Sequence, residues 1–135
     1  MKQKLLLLLS LLLLPAVVQA EIIDIDNAQL QKLLAQQVPL VDVRTAPEWT
    51  ETGVIKGSHL LTFFAADGSY DARTWLAELA PIAGKNDPLI LICRTGHRSG
   101  VISKFLDQQV GYKTIYNVRK GILYWIDKGN PTVAP

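Results

Sequence analysis

From Glu21 onward, short apolar runs alternate with amphipathic stretches. "EIIDI" predicts a strand, and "DNAQLQKLLAQQV" after it places Leu30, Leu33 and Leu34 on one helical face. Asp26 with Gln29 three residues on forms a capping-box pattern at the start of that helix. "PLVDVR" is a short, β-branched run that reads as a buried strand ending in two charges, Asp42 and Arg44. "TAPEW" sets Thr45 and Glu48 at capping spacing with Pro47 in the first turn, which predicts a short helix through Trp49. Gly53 and Gly57 flank a turn before a short strand over 58–61. The polar "AADGSYDAR" is a loop leading to a helix from 71 or 72 to 80, with Trp75, Leu76 and Leu79 on its apolar side. "LILIC" is the most apolar strand candidate, and a continuous run of this kind suits the centre of a parallel sheet. "SGVISKFLDQQ" predicts a helix with Val101, Ile102, Phe105 and Leu106 at helical spacing, "GYKTIYNV" a strand, and "GILYWIDKG" a final short helix. Strands alternating with helices specify an α/β domain: three layers, with a mainly parallel central sheet between helices.

Residues 1–20 follow a different pattern. Lys2 and Lys4 precede "LLLLLSLLLLP", and "AVVQA" then puts Val18 and Ala20 at the positions a signal peptidase reads. The pattern predicts a signal peptide over 1–20, cut after Ala20, and a single domain over 21–135 in the periplasm or outside the cell. An uncleaved anchor would need about 20 apolar residues, and the run is shorter. No cysteine follows it, which excludes a lipoprotein signal. Removing the leader leaves 135 − 20 = 115 residues and 14 − 2 = 12 basic against 12 acidic side chains. A neutral domain lacks the electrostatic footprint of a nucleic-acid or membrane-surface binder. With one Cys and two His, zinc-ligand spacings are absent, so neither metal nor cofactor is expected, and a monomer is the simple expectation.

A lone thiol in an oxidising compartment needs either burial or a task, since it cannot form a disulfide within the chain. Cys93 stands at the carboxyl end of the central strand, where open α/β sheets bind ligands. The following turn, Arg94, Thr95, Gly96, His97 and Arg98, has no bulky apolar side chain, and Ser99 opens the next helix. Such a loop can aim backbone N–H groups at the sulfur while the helix terminus and two arginines add positive charge. That setting favours a thiolate nucleophile. His97 reads as a solvent-facing or substrate-side group rather than a general base.

"CRTGHR" resembles the active-site loop of rhodanese-type sulfurtransferases, in particular the small single-domain type exported to the bacterial periplasm. "LVDVRTAPEW", "GVIKGSHLL" and "NVRKGILYWIDKGNP" are similar to further segments of that family in the same order, so the likeness spans nearly all of 21–135. The resemblance implies the rhodanese-like three-layer fold and transfer of sulfane sulfur through a Cys93 persulfide, from a donor such as thiosulfate to cyanide or a thiol. A protein thiol is one such acceptor. It implies that the loop residues Arg94 through Ser99 hold the persulfide, that Arg94 and Arg98 bind the donor's oxyanion, and that Asp42 and Arg44 are architectural. Trp49, Trp75 and Trp125 read as core or pocket-rim residues. The chain departs from the family at Val54, where a histidine is common, at Ser58 and His59, and at Arg119 and Lys120, which replace part of a glycine pair.

Two other readings share the nucleophile. Cysteine-dependent phosphatases and arsenate reductases use a related loop with one more residue between Cys and Arg, whereas four separate Cys93 from Arg98 here. A persulfide carrier or interaction module would need the same thiol without turnover.

Overall fold

The computed structural model describes residues 14–15 and 21–135. The expected signal peptide therefore lies outside the described residues, save for Leu14 and Pro15. The order is β1 (Glu21–Ile25), α1 (Asn27–Ala35), β2 (Leu40–Asp42), α2 (Ala46–Thr52), β3 (His59–Leu60), α3 (Ala72–Leu79), β4 (Leu89–Ile92), α4 (His97–Phe105), β5 (Thr114–Val118) and α5 (Gly121–Asp127). The five strands form one sheet in the order β1-β5-β4-β2-β3, and every pairing is parallel.

The alternation of β4 divides the core. Leu89, Leu91 and Cys93 point to one face, where they meet Trp75 and Leu79 of α3 and Ile102 of α4. Ile90 and Ile92 point to the other, against Leu30 of α1 and Ile122 and Trp125 of α5. All four residues of β4 are fully buried, as its unbroken apolar run requires. Trp75 and Trp125 lie in the core, whereas Trp49 on α2 is half-buried. The Asp26–Gln29 capping box forms reciprocally, with hydrogen bonds of 2.8 and 3.0 Å.

The helix predicted over "SGVISKFLDQQ" is rolled and interrupted. Its core stripe is Ser99, Ile102, Ser103 and Leu106, while Val101 is 45% exposed. Two small serines face inward because Ser103 satisfies its hydroxyl on the Ser99 carbonyl at 2.7 Å and Ser99 reaches the sulfur. From Leu106 to Val110 the coil widens to a π-turn, and the N–H groups of Gly111 and Tyr112 both close on the Leu106 carbonyl.

Asp42 and Arg44 form a wholly buried pair at the carboxyl end of β2. Arg44 Nε donates to Asp42 Oδ1 at 2.9 Å and Nη2 to Oδ2 at 2.8 Å. The same guanidinium reaches Thr52 Oγ1 at 2.8 Å and the Gly53 carbonyl at 3.1 Å, so it pins the end of α2 to the sheet. Removing one member leaves an uncompensated buried charge. Arg44→Ala should lower stability by about 3–5 kcal/mol in urea unfolding, with Asp42→Ala/Arg44→Ala costing less than the sum of the singles.

Candidate active site

β4 and β2 run side by side in register, Asp42 opposite Ile92, so their carboxyl ends open at one edge. This brings the loop after β4 against α2. The strand ends at Ile92, one residue before Cys93, which is 1% exposed. Gly96, in the left-handed region at φ 96°, turns its N–H onto Cys93 Sγ at 3.1 Å. Ser99 Oγ stands 3.3 Å from the sulfur and 3.3 Å from the Gly96 carbonyl, so its single proton can be donated to either acceptor. The sequence suggested several backbone amides on the thiol. Among the described residues, one amide and one hydroxyl bond it.

The loop's polarity is set from behind. The carbonyls of Cys93 and Arg94 accept the N–H groups of Ile122 and Leu123 at 3.0 and 3.2 Å. These are first-turn donors of α5, whose N-cap Lys120 contributes no side-chain bond, so the cysteine loop caps that helix. Contact is tight enough that a Cβ on Gly96 would overlap the Arg119 carbonyl, and one on Gly121, at φ 66°, the Arg94 carbonyl.

The two arginines have different surroundings. Arg98 makes a fork with Glu48, Nη1 to Oε1 at 2.9 Å and Nη2 to Oε2 at 2.7 Å, with both side chains mostly shielded. The Arg98 hydrogen bonds hold the Glu48 carboxyl below its usual range despite the opposing effect of burial, and the same bonds raise the guanidinium pKa. Arg94 is 39% exposed and only loosely tied to Glu51 at 3.6 Å. The resemblance implies that both arginines bind the donor's oxyanion; in the structure Arg98 is paired with a carboxylate from α2. Thr45 and Glu48 do not form the predicted capping box, since Thr45 makes no side-chain bond to the helix backbone and Glu48 faces Arg98. Glu48 was missed because a local capping pattern explained it, and only the β2–β4 register reveals its distant partner.

Thr95 and His97 are exposed at the mouth, and Ser99 is fully buried. An open cleft lined by Thr45, Glu48, Phe64, Ala65, Gly68 and Arg98 adjoins the loop. His59 is exposed beside Gln37, Pro39 and Gly57, at the amino end of the sheet and away from the thiol. Val54 is buried and pairs with Val133 in an isolated antiparallel bridge, so it acts in the fold rather than the cleft. Among the described residues no group of three or more His, Cys, Asp or Glu could hold a metal ion.

Gly121→Ala should lower the melting temperature, by at least about 2 kcal/mol of stability, because the added carbon meets backbone and the positive φ is disfavoured. Glu48 supplies a pH signature. Its depressed pKa makes the ion pair stabilising above the unfolded carboxylate value near 4.5, a contribution lost as pH falls through the lower folded value. The stability gap between the wild type and Glu48→Gln, measured by urea unfolding, should therefore shrink as pH drops below 4.5.

The family model described as "Rhodanese-like domain" matches residues 26–128. A sulfurtransferase of Allochromatium vinosum is 34% identical over 118 residues, covering 83% of this chain and 95% of that protein. Rhodanese-like domain-containing protein 17 of Arabidopsis thaliana is 30% identical over 117 residues, covering 84% and 74% respectively. The crystal structure of a rhodanese-related protein from Thermoplasma volcanium superposes with a TM-score of 0.62 at 26% identity, covering 84% of this chain and 99% of that one. The match spans β2 to β5, the cysteine loop and the turn that locks it, and by it this chain belongs to the rhodanese-like domain family of sulfurtransferases.

Proposed function

We propose that this protein is an exported thiosulfate sulfurtransferase acting through a Cys93 persulfide. The observation that carries the reading is the sulfur itself, bonded by the Gly96 amide and the Ser99 hydroxyl at the head of α4. The Cys93 thiolate attacks the outer sulfur of thiosulfate, the sulfur–sulfur bond breaks, and sulfite leaves with the electron pair. A thiophilic acceptor, cyanide or a thiol, then attacks the outer sulfur of the persulfide and Cys93 departs as a thiolate. Gly96 and Ser99 hold charge on the inner sulfur. The His97 and Arg98 amides, first-turn donors of α4 without intrahelical acceptors, are suited to the outer one, each such bond to charge being worth about 1.5–3 kcal/mol. Arg94, half-exposed at the mouth, meets the oxyanion of the donor, while Arg98, held by Glu48, forms the wall. The lysine-flanked leucine run of residues 1–20 supports export to the periplasm.

The four-residue spacing between Cys93 and Arg98 favours a cradle for one sulfur atom over the wider loop of the phosphatase-type enzymes. Purified protein treated with thiosulfate should gain the mass of one sulfur, and Cys93→Ala should gain none. Thiocyanate should form from thiosulfate and cyanide, with no release of phosphate from an aryl phosphate. The opposite pattern would assign phosphatase chemistry. A persulfide that forms without thiocyanate turnover would identify a carrier instead. Arg94→Ala should raise KM for thiosulfate about ten-fold with little change in kcat, the signature of a lost ground-state contact.

A further inference from the structure

We propose that the β5–α5 turn and the outer side of α5 form a docking face for an acidic protein whose cysteine exchanges sulfur with Cys93. The proposal rests on the sulfurtransferase reading and adds the chemistry of the partner. Arg119 and Lys120, the chain's departure from the glycine pair of the family, are exposed on that turn, and the turn's backbone lies directly against the catalytic loop at Gly96. Lys120 Nζ sits 4.3 Å and Lys128 Nζ 5.2 Å from the centroid of the Tyr124 ring, so two ammonium groups are held over one half-buried aromatic ring. None of Arg119, Lys120 and Lys128 has a carboxylate partner among the described ion pairs. On α5 the single acid is Asp127, and nearby Asp26 is occupied in capping α1.

The neighbouring face of the helix is apolar. Leu123 and Ile126, three residues apart, are 36% and 37% exposed. Leu123 begins at the nucleophile's loop, since its N–H bonds the Arg94 carbonyl. From Lys120 to Lys128 the surface extends about 12 Å along the helix, well beyond a thiosulfate-sized ligand. Cations interleaved with aliphatic side chains match an acidic protein surface with an apolar centre, whereas a polyanion would leave Leu123 and Ile126 unused. In the exchange the partner's thiolate attacks the outer sulfur of the Cys93 persulfide. The new sulfur–sulfur bond forms on the partner, the old one breaks, and Cys93 keeps the electron pair, so no oxidant or reductant enters.

The test begins by loading the purified protein with thiosulfate and weighing the gain of one sulfur. Loaded protein is then offered two peptides of equal length with one cysteine each, one flanked by Asp and Glu and the other by Lys. The acidic peptide should accept sulfur about ten-fold faster at low salt, with the advantage fading as salt rises. Arg119→Glu/Lys120→Glu should reverse the order while leaving turnover of thiosulfate and cyanide unchanged, and Arg119→Gln/Lys120→Gln should level it. Equal rates in the wild type, or an acidic preference that survives charge reversal, would overturn the proposal. Retention of an RNA oligonucleotide or anionic vesicles without peptide discrimination would overturn it as well. A protein that gains no sulfur at loading would sink the sulfurtransferase reading and this proposal with it, a result distinct from a loaded protein indifferent to peptide charge.

Discussion

Two backbone hydrogen bonds, from Ile122 and Leu123 of α5 to the carbonyls of Cys93 and Arg94, set the polarity of the site. A peptide unit whose carbonyl is tied on one side must present its N–H side elsewhere. Turning these carbonyls toward α5 keeps their negative ends off the sulfur, on which the Gly96 N–H closes. The first turn of α5 needs acceptors and the loop needs its carbonyls removed, so one contact meets both demands. Gly96 and Gly121 are the residues that let the two backbones approach this closely.

Charge is distributed with the same economy. Arg44 and Asp42 sit inside the protein, with the remaining guanidinium protons directed at α2 and the segment after it. α2 in turn presents Glu48, which takes up the charge of Arg98. The wall of the cleft is thus a chain of fixed side chains running from the sheet to the loop: Arg44 holds the helix, the helix holds Glu48, and Glu48 holds Arg98. Arg94 stands outside this chain, half-exposed and 3.6 Å from Glu51. In the proposed reaction one anion enters and another leaves, and such a site benefits from having its inner charge neutralised and a less constrained charge at the entrance.

Much of this was legible along the chain. The period-2 and period-3.6 patterns located every strand and helix of the domain to within a few residues, and the Asp26–Gln29 cap formed as read. The apolar run of β4 fixed the centre of the sheet, and with it the place of Cys93 at a carboxyl edge. The misreadings share one cause. Val101 shares the helical spacing of Ile102, Phe105 and Leu106, yet it is 45% exposed while Ser99 and Ser103 take the buried side. Glu48 was assigned to a cap three residues away, yet its partner lies fifty residues on. The π-turn at Leu106–Val110 has no local signal, because it answers to packing rather than propensity.

The sequence alone determined the α/β alternation, the single thiol and the glycine-bearing loop. All of these follow from chain chemistry that acts over a few residues: hydrophobic period, backbone freedom and capping. Tertiary structure decided which arginine is neutralised, which donors reach the sulfur and which lysines gather over Tyr124. Those outcomes depend on the parallel register of β2 against β4 and on the loop meeting α5, contacts between residues far apart in sequence whose geometry no local pattern encodes.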